Sequence, residues 1–248
     1  MDNKFNKDKI LTISILPLMW LIYFSFEIVT GRVRDFYTLI TNLALVFLFA
    51  LVGYIIYILS KKYSDGFSGK TILKLFLILM LIDQGIKIII KKFFFNDFYE
   101  IIKDFIYFDP IINTKGSWLN ARFNVGVGFL QLIIINAIAL FLFLEIYRYY
   151  LSKNPKSFWV DLAFVFVTAG ALCSLIDKIF YGGSLDFIGI SNLFIADIKD
   201  IYINIGLLFF IMFIYKIGYF KEDETSFKDD IKSLKNFFSF LKKDLFRK

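Results

Sequence analysis

The chain of 248 residues contains no histidine and one cysteine. Without histidine there can be no His-ligated zinc site, H-E-x-x-H metalloprotease centres included, and no Ser–His or Cys–His nucleophile. The lone thiol, Cys173, lies in an apolar segment, so it cannot form an intramolecular disulfide and says nothing about redox compartment. There is also no internal repeat and no low-complexity linker. Chemistry in such a chain has to run on carboxylates, lysines or hydroxyls.

What the chain has in excess is apolar surface. Hydrophobic residues make up 58% of it and aromatics 20%, with a mean hydropathy of +0.66. A soluble domain of this length cannot bury that much, so the composition is that of an integral membrane protein. A net charge of +7 would suggest nucleic acid in a soluble protein. Here the basic residues cluster beside the apolar runs, where topology and lipid headgroups account for them, and no nucleic-acid partner is expected.

The expected fold is an α-helical polytopic membrane protein with about six transmembrane helices. The runs are 11–29, 37–59, 72–90, 129–147, 158–180 and 198–219. The first follows a basic lead, but Pro17, Glu27 and the lack of a small-x-small cleavage site mark it as a membrane anchor rather than a signal peptide. Lys4, Lys7, Lys9, Lys61, Lys62, Lys70, Lys74, Arg148, Lys153, Lys156, Lys216 and Lys221 all fall on one side, which is then cytoplasmic. The opposite side carries fewer basic residues, Arg32, Arg34, Lys91, Lys92, Lys103, Lys115 and Arg122. The loop 91–123, with Pro110 and Gly116, is too long for a simple turn and predicts a small extracytoplasmic β-element. From Glu222 onward, Phe227, Ile231, Leu234, Phe238, Leu241 and Leu245 recur at helical spacing, behind a Ser226–Asp229 capping box. That pattern predicts an amphipathic C-terminal helix on the inner membrane surface. Three parts follow: a two-span N-terminal extension (1–66), a four-span unit (67–221) and the tail (222–248).

The stretch 175–206 sets Asp177, Asp186, Asp197 and Asp200 into apolar surroundings. A carboxylate at membrane depth costs roughly 2.5–3.5 kcal/mol even on lenient insertion scales, so such groups are kept as structural partners or as chemistry. Asp83 and Lys87, four apart, share a helix face and predict a neutralised ion pair. Gly170, Ser174 and Asp177 form a small and polar stripe suited to close helix packing. Ser174 and Lys178 are also four apart, but a Ser–Lys nucleophile would need a neutral lysine beside Asp177. Asp197 and Asp200 lie within one helix quadrant, with Asp186 in the connection before them. Two carboxylates brought close at low dielectric cannot both ionise easily, which leaves one acid and one base for water-driven amide hydrolysis. Spacing alone does not choose the pair among the four aspartates, and a proton or cation pathway would use the same groups.

From about residue 81 to 208 the chain resembles the lipoprotein signal peptidases (signal peptidase II), four-span membrane aspartyl proteases of bacteria. "DQGIK" at 83–87 resembles D-Q-x-x-K, "NVGVGF" at 124–129 resembles N-x-G-x-x-F, and "GALCSLIDKIFYGGSLDFI" resembles G-A-L-G-N-x-x-D-R-x-x-x-G-x-V-D-F-I. "ADIKDIYINIG" resembles F-N-x-A-D-x-x-x-x-x-G, with Asp200 and Gly206 in register. The resemblance implies that Asp186 and Asp200 are the catalytic pair. It also implies that Asn124, Gly126, Ser174, Lys178 and Asp197 face the substrate, and that Asp83, Lys87 and Asp177 support the site. Ser174 and Lys178 stand where the family has Asn and Arg, and Asp197 and Lys199 where it has Asn and Ala, which makes this a divergent member. The implied activity is removal of signal peptides from lipid-modified prolipoproteins at the outer face of the bacterial cytoplasmic membrane, without metal or cofactor and in contact with membrane lipids. The other readings are a non-catalytic relative that binds lipoproteins or acylated peptides, and a small transporter.

Overall fold

Each long apolar run folds as a helix, because in hydrocarbon the backbone amides have no partner but their own carbonyls. The computed structural model describes residues 2–116, 118–123, 125–219 and 227–246. Its helices are α1 (Asp2–Val29), α2 (Phe36–Lys62), α3 (Gly69–Ile89), α4 (Trp118–Phe123), α5 (Phe129–Leu151), α6 (Phe158–Phe180), α7 (Ile198–Lys216) and α8 (Phe227–Phe246). Starts are set by capping side chains: Asp35, Ser68 and Ser157 accept the amide three residues on, at Thr38, Thr71 and Val160.

Among the described residues five helices, α1, α2, α5, α6 and α7, are long and apolar enough to cross a membrane by length and composition. The sixth expected span, α3, has the length, 21 residues, but Lys70, Lys74, Asp83 and Lys87 interrupt its hydropathy. Its last two charges are turned inward: Asp83 and Lys87 are fully buried while Leu77, Leu81, Ile82 and Ile88 are exposed, and Lys70 and Lys74 stay exposed in the first turns. That inversion is what a lipid-facing helix with a polar seam requires.

The seam runs against α6, the most buried helix, and α6 packs closely on α7. A methyl group at Gly170 would sit 2.7 Å from the Ile203 side chain, and one at Gly206 would sit 2.8 Å from Val167. Small residues therefore set the α6–α7 approach. At the end of the bundle where α6 begins, called inner only as a label, Ile15, Leu16, Ile56, Trp159, Leu208 and Met212 form one apolar cluster joining α1, α2, α6 and α7. The flank of α5 is different; Leu130, Ile134, Ile135 and Ile138 point outward.

Beyond the opposite ends of α3 and α6, labelled outer, lies the β-element predicted for the long loop. Strands β1 (Tyr99–Ile102), β2 (Ile106–Asn113), β3 (Ser184–Ile190) and β4 (Phe194–Ala196) form one antiparallel sheet in sequence order. The β2–β3 register is irregular between Phe108 and Ile111, around Pro110, whose missing N–H a bulge tolerates. The sheet is seated on the first two helices, where Trp20, Phe24 and Leu45 pack with Phe105 and Leu193. A π-helical turn (Ile90–Phe94) carries α3 into the sheet, and Ile90 packs on Leu185 and Phe187 of β3.

The tail helix α8 lies at the inner end of α5. Arg148 binds Asp244 through both terminal nitrogens, at 2.5 and 2.6 Å, and Tyr149 packs on Phe237 and Phe240. Leu234, Phe238 and Leu245 remain exposed along the other side. The capping position expected at Ser226 lies outside the described residues.

Candidate functional site

The candidate site forms where three chain directions change. α3 and α6 end there, β3 leaves α6, and β4 runs into α7. Asp197 caps α7: its Oδ1 accepts the Asp200 amide at 3.2 Å, and the Asp200 carboxylate accepts the Asp197 amide at the same distance. This reciprocal cap places both carboxylates at the positive end of the helix dipole, the favourable end for anions. β3 brings Asp186 to them from the sheet. Carboxylate oxygens of Asp186, Asp197 and Asp200 lie within 4.8 Å of one another. The sequence candidates for the pair are therefore adjacent in space, with Asp197 as a third member.

Two buried lysines balance these acids. Lys87 Nζ lies 3.0 Å from Asp83, 2.6 Å from Asp177 and 2.6 Å from Asp197, and all four side chains are fully buried. Asp83 Oδ1 also accepts the Lys199 amide at 3.0 Å, which ties α3 to the first turn of α7. Lys199 Nζ bonds Asp197 and Ser184 and lies 3.4 Å from Asp177 and 3.8 Å from Asp186. It bridges the Asp83–Lys87–Asp177 group and the three outer carboxylates. Those three could together hold a small cation, and the Lys199 ammonium supplies positive charge at that place.

Asp186 is 3% exposed and accepts from Ser184 Oγ at 2.5 Å and from Asn113 Nδ2 at 3.0 Å. Burial pushes its carboxyl above the usual range. The Lys199 ammonium pulls against this and the Asp197 charge adds to it, while the two hydrogen bonds recover only part. Asp197 moves the other way. Burial raises it, but the ammonium groups of Lys199 and Lys87 outweigh burial and hold it below the ordinary range. Neighbouring carboxylates are thus driven apart, one towards keeping its proton and one towards losing it.

Lys178 Nζ donates to Ser174 Oγ at 2.6 Å, so these two bond each other on α6. Asp177 does not pair with Lys178; it turns to Lys87 and accepts from Gln84 at 3.1 Å. Asp197, expected to face substrate, is fully buried and taken up by the two lysines. Gly126 lies in the exposed loop before α5 with φ +77°, beside a cavity of about 170 Å³ lined also by Thr114, Lys115, Asn120, Val127 and Phe129. Asn124 lies outside the described residues.

Three participants escaped the sequence reading: Gln84, Asn113 and Ser184. Gln84 stands inside the DQGIK motif and bridges Asp83 and Asp177. Asn113 and Ser184 are paired across β2 and β3, and that register is not visible in one sequence.

The model of the signal peptidase (SPase) II family matches residues 75–216, from α3 to the end of α7, leaving α1, α2 and α8 outside. The lipoprotein signal peptidase of Fusobacterium nucleatum is 31% identical over 144 residues, 56% of this chain and 82% of that protein. That of Microcystis aeruginosa is 29% identical over 133 residues, 52% of this chain and 81% of that protein. A solved bacterial membrane enzyme shares the fold at a TM-score of 0.52 and 23% identity, over 66% of this chain and 98% of its own.

Proposed function

The chain belongs to the signal peptidase II family, a family of peptidases, and from that premise we propose that it is a multi-pass aspartyl endopeptidase of lipid-modified prolipoproteins. The carrying observation is the approach of Asp186, from β3, and Asp200, from α7, within 4.8 Å. One of the pair activates water. The other protonates the carbonyl oxygen; as the C–N bond breaks, the proton that the first took from water passes to the leaving amine, and the second carboxylate takes back a proton from the gem-diol. Asn113 and Ser184 orient Asp186, and the lysines set how many protons the group keeps. Asn124, Gly126, Ser174 and Lys178 would line the path of the peptide, and the acyl chains would lie in membrane lipid. The catalytic unit is 67–221, in the cytoplasmic membrane, with the site towards the outer face.

Incubating detergent-purified protein with a diacylglyceryl-modified prolipoprotein tests this reading: a shortened product on a gel supports it, and none from any preparation sinks it. Orientation is tested with a cysteine at Lys103 on a Cys173→Ser background. Labelling from outside intact cells is expected; labelling only after permeabilisation would reverse the topology.

One observation favours a second reading, a binder without turnover. Lys199 stands 3.8 Å from Asp186, where its charge favours the ionised carboxyl and opposes the acid role. Exchanging Lys199→Ala together with Asp197→Asn decides between them. A peptidase tolerates the neutral exchange, whereas a binder loses capture of lipidated peptide and shows no cleavage before or after.

A further inference from the structure

Glu27, in the last turn of α1, is fully buried and lies between two arginines. Arg32 and Arg122 each approach its Oε2 at 3.5 Å. Arg32 donates through its other nitrogen to the Asn192 carbonyl at 2.6 Å, in the turn joining β3 to β4. Arg122 belongs to α4; it donates to Thr30 Oγ1 at 2.7 Å and lies over the Phe26 ring, 5.3 Å from its centre. Phe26 also packs on Phe123 at 5.8 Å.

Both arms lead to the candidate site. From α4, Asn120 Nδ2 donates to the carbonyls of Lys115 (3.2 Å) and Val127 (2.8 Å). The Lys115 amide donates to Asn113 Oδ1 at 3.2 Å, and Asn113 Nδ2 to Asp186 at 3.0 Å. In the β3–β4 turn, Ser191 accepts from Asn42 of α2 at 2.9 Å, beside the residue that Arg32 holds. That turn connects β3, which carries Asp186, to β4, which leads into Asp197. One carboxylate on α1 thus ties down both segments that position Asp186. α1 and α2 lie outside the stretch matched to the family, and the mechanism above uses neither.

We propose that Glu27 is a positioning residue, and that the first two spans brace the β3–β4 turn and α4 so that Asp186 is held against Asp200. What the brace serves rests on the peptidase reading; that the brace exists does not. A buried carboxylate between two guanidinium groups orders both only while it is charged, so Glu27→Gln removes the ordering force and keeps the shape.

The test uses the full chain in detergent, on a Cys173→Ser background, with two readouts. Val127 is half-buried and held by Asn120 at both its amide and its carbonyl. A Val127→Cys reporter is therefore expected to react with maleimide about fivefold or more faster once Glu27→Gln loosens α4, as local opening becomes easier. In protein without the reporter, Glu27→Gln is expected to lower kcat about tenfold or more, with KM changed far less and thermal unfolding still cooperative. Glu27→Asp, which keeps the charge, is expected to recover most of both. Should Glu27→Gln fail to fold, Arg122→Gln removes only the α4 arm and is expected to raise the same labelling rate. Equal labelling in the Glu27→Gln or Arg122→Gln protein and its parent overturns the brace. So does turnover that falls only in step with the folded fraction. Faster labelling in a protein that never cleaves prolipoprotein sinks the peptidase reading and leaves the brace standing.

Discussion

Helix α6 carries a fully buried aspartate at each end, and the two ends meet the same electrostatic cost differently. At the inner end Asp161 accepts from the Phe67 amide at 2.7 Å and from the Tyr147 hydroxyl at 2.9 Å, two neutral donors that satisfy a single carboxylate, with the Lys156 ammonium on the Phe67 carbonyl nearby. At the outer end Asp177 is one of five aspartates, with Asp83, Asp186, Asp197 and Asp200, gathered round the ammonium groups of Lys87 and Lys199. A structural carboxylate needs only donors, and the inner end stops there. The outer end holds more carboxylates than cations, an arrangement that burial permits only if protons are retained. Surplus acid, not burial, separates a site that can do proton chemistry from one that holds a helix in place.

The largest expected effect tests that distinction directly. Asp186→Asn or Asp200→Asn removes half of an acid–base pair and is expected to lower cleavage by about 10²–10⁴-fold while membrane insertion is kept. Retained turnover in either variant would defeat the assignment. If Asp197→Asn were dead while Asp200→Asn cleaved, the pair would be Asp186 with Asp197.

Next in size is a stability effect. Lys87→Met leaves Asp83, Asp177 and Asp197 facing one another without their shared cation, and breaking such a buried group costs about 3–5 kcal/mol. The unfolding midpoint in detergent is expected to drop clearly, with partial recovery on adding Asp83→Asn. A midpoint unmoved by Lys87→Met would show that Lys199 alone suffices as counter-charge.

The comparison also marks how far one sequence could be read. Helix type and membrane location follow from apolar runs, so five spans, a small sheet from the long loop and the tail helix were legible, as was the inward pair of Asp83 and Lys87 at four-residue spacing. Asp197 and Asp200 could be placed on one helix turn by spacing, and Asp186 beside them through the family motifs. The partner of Asp177, Lys87 on α3, could not be read from the sequence, because residues one apart on a helix point about 100° away from each other and adjacency to Lys178 does not fix a contact. Asn113, Ser184 and the Arg32–Glu27–Arg122 group depend on strand register and on how α1 meets the sheet, and neither has a local signature. The split roles of Asp161 and Asp177 were hidden for the same reason: the donors to Asp161 come from two other segments, at Phe67 and Tyr147.

A pH series sharpens the contrast within the outer end. The Asp186 carboxyl is raised, chiefly by burial, so between the ordinary carboxylate value of 3.8 and its raised value the folded protein binds more protons than the unfolded chain. Stability from this group is complete below that window and declines as pH rises through it. Asp197, lowered by its lysines, has the opposite sign and loses its contribution as pH falls. Unfolding midpoints measured against pH are expected to flatten on the upper side of 3.8 in Asp186→Asn relative to wild type. The same group predicts an alkaline limit to turnover, set where the pair loses its last proton. An unchanged profile in Asp186→Asn would mean that this carboxyl titrates normally.

The smallest expected effect belongs to the inner end. Asp161→Asn keeps the shape and one oxygen to accept from Phe67 or Tyr147, and loses the charge that strengthens both bonds and complements the first turn of α6. Charged-acceptor hydrogen bonds exceed neutral ones by about 1 kcal/mol, so a destabilisation of about 1–2 kcal/mol is expected, visible as a modest fall in midpoint. Turnover at a temperature where both proteins are folded should not change, since no acid–base step runs through Asp161. A large loss of cleavage in Asp161→Asn with an intact midpoint would break the comparison, because a lone, donor-satisfied carboxylate would then be part of the chemistry. A small fall in midpoint with full turnover would place the two ends of α6 in separate roles, one holding the helix and one supplying the acid.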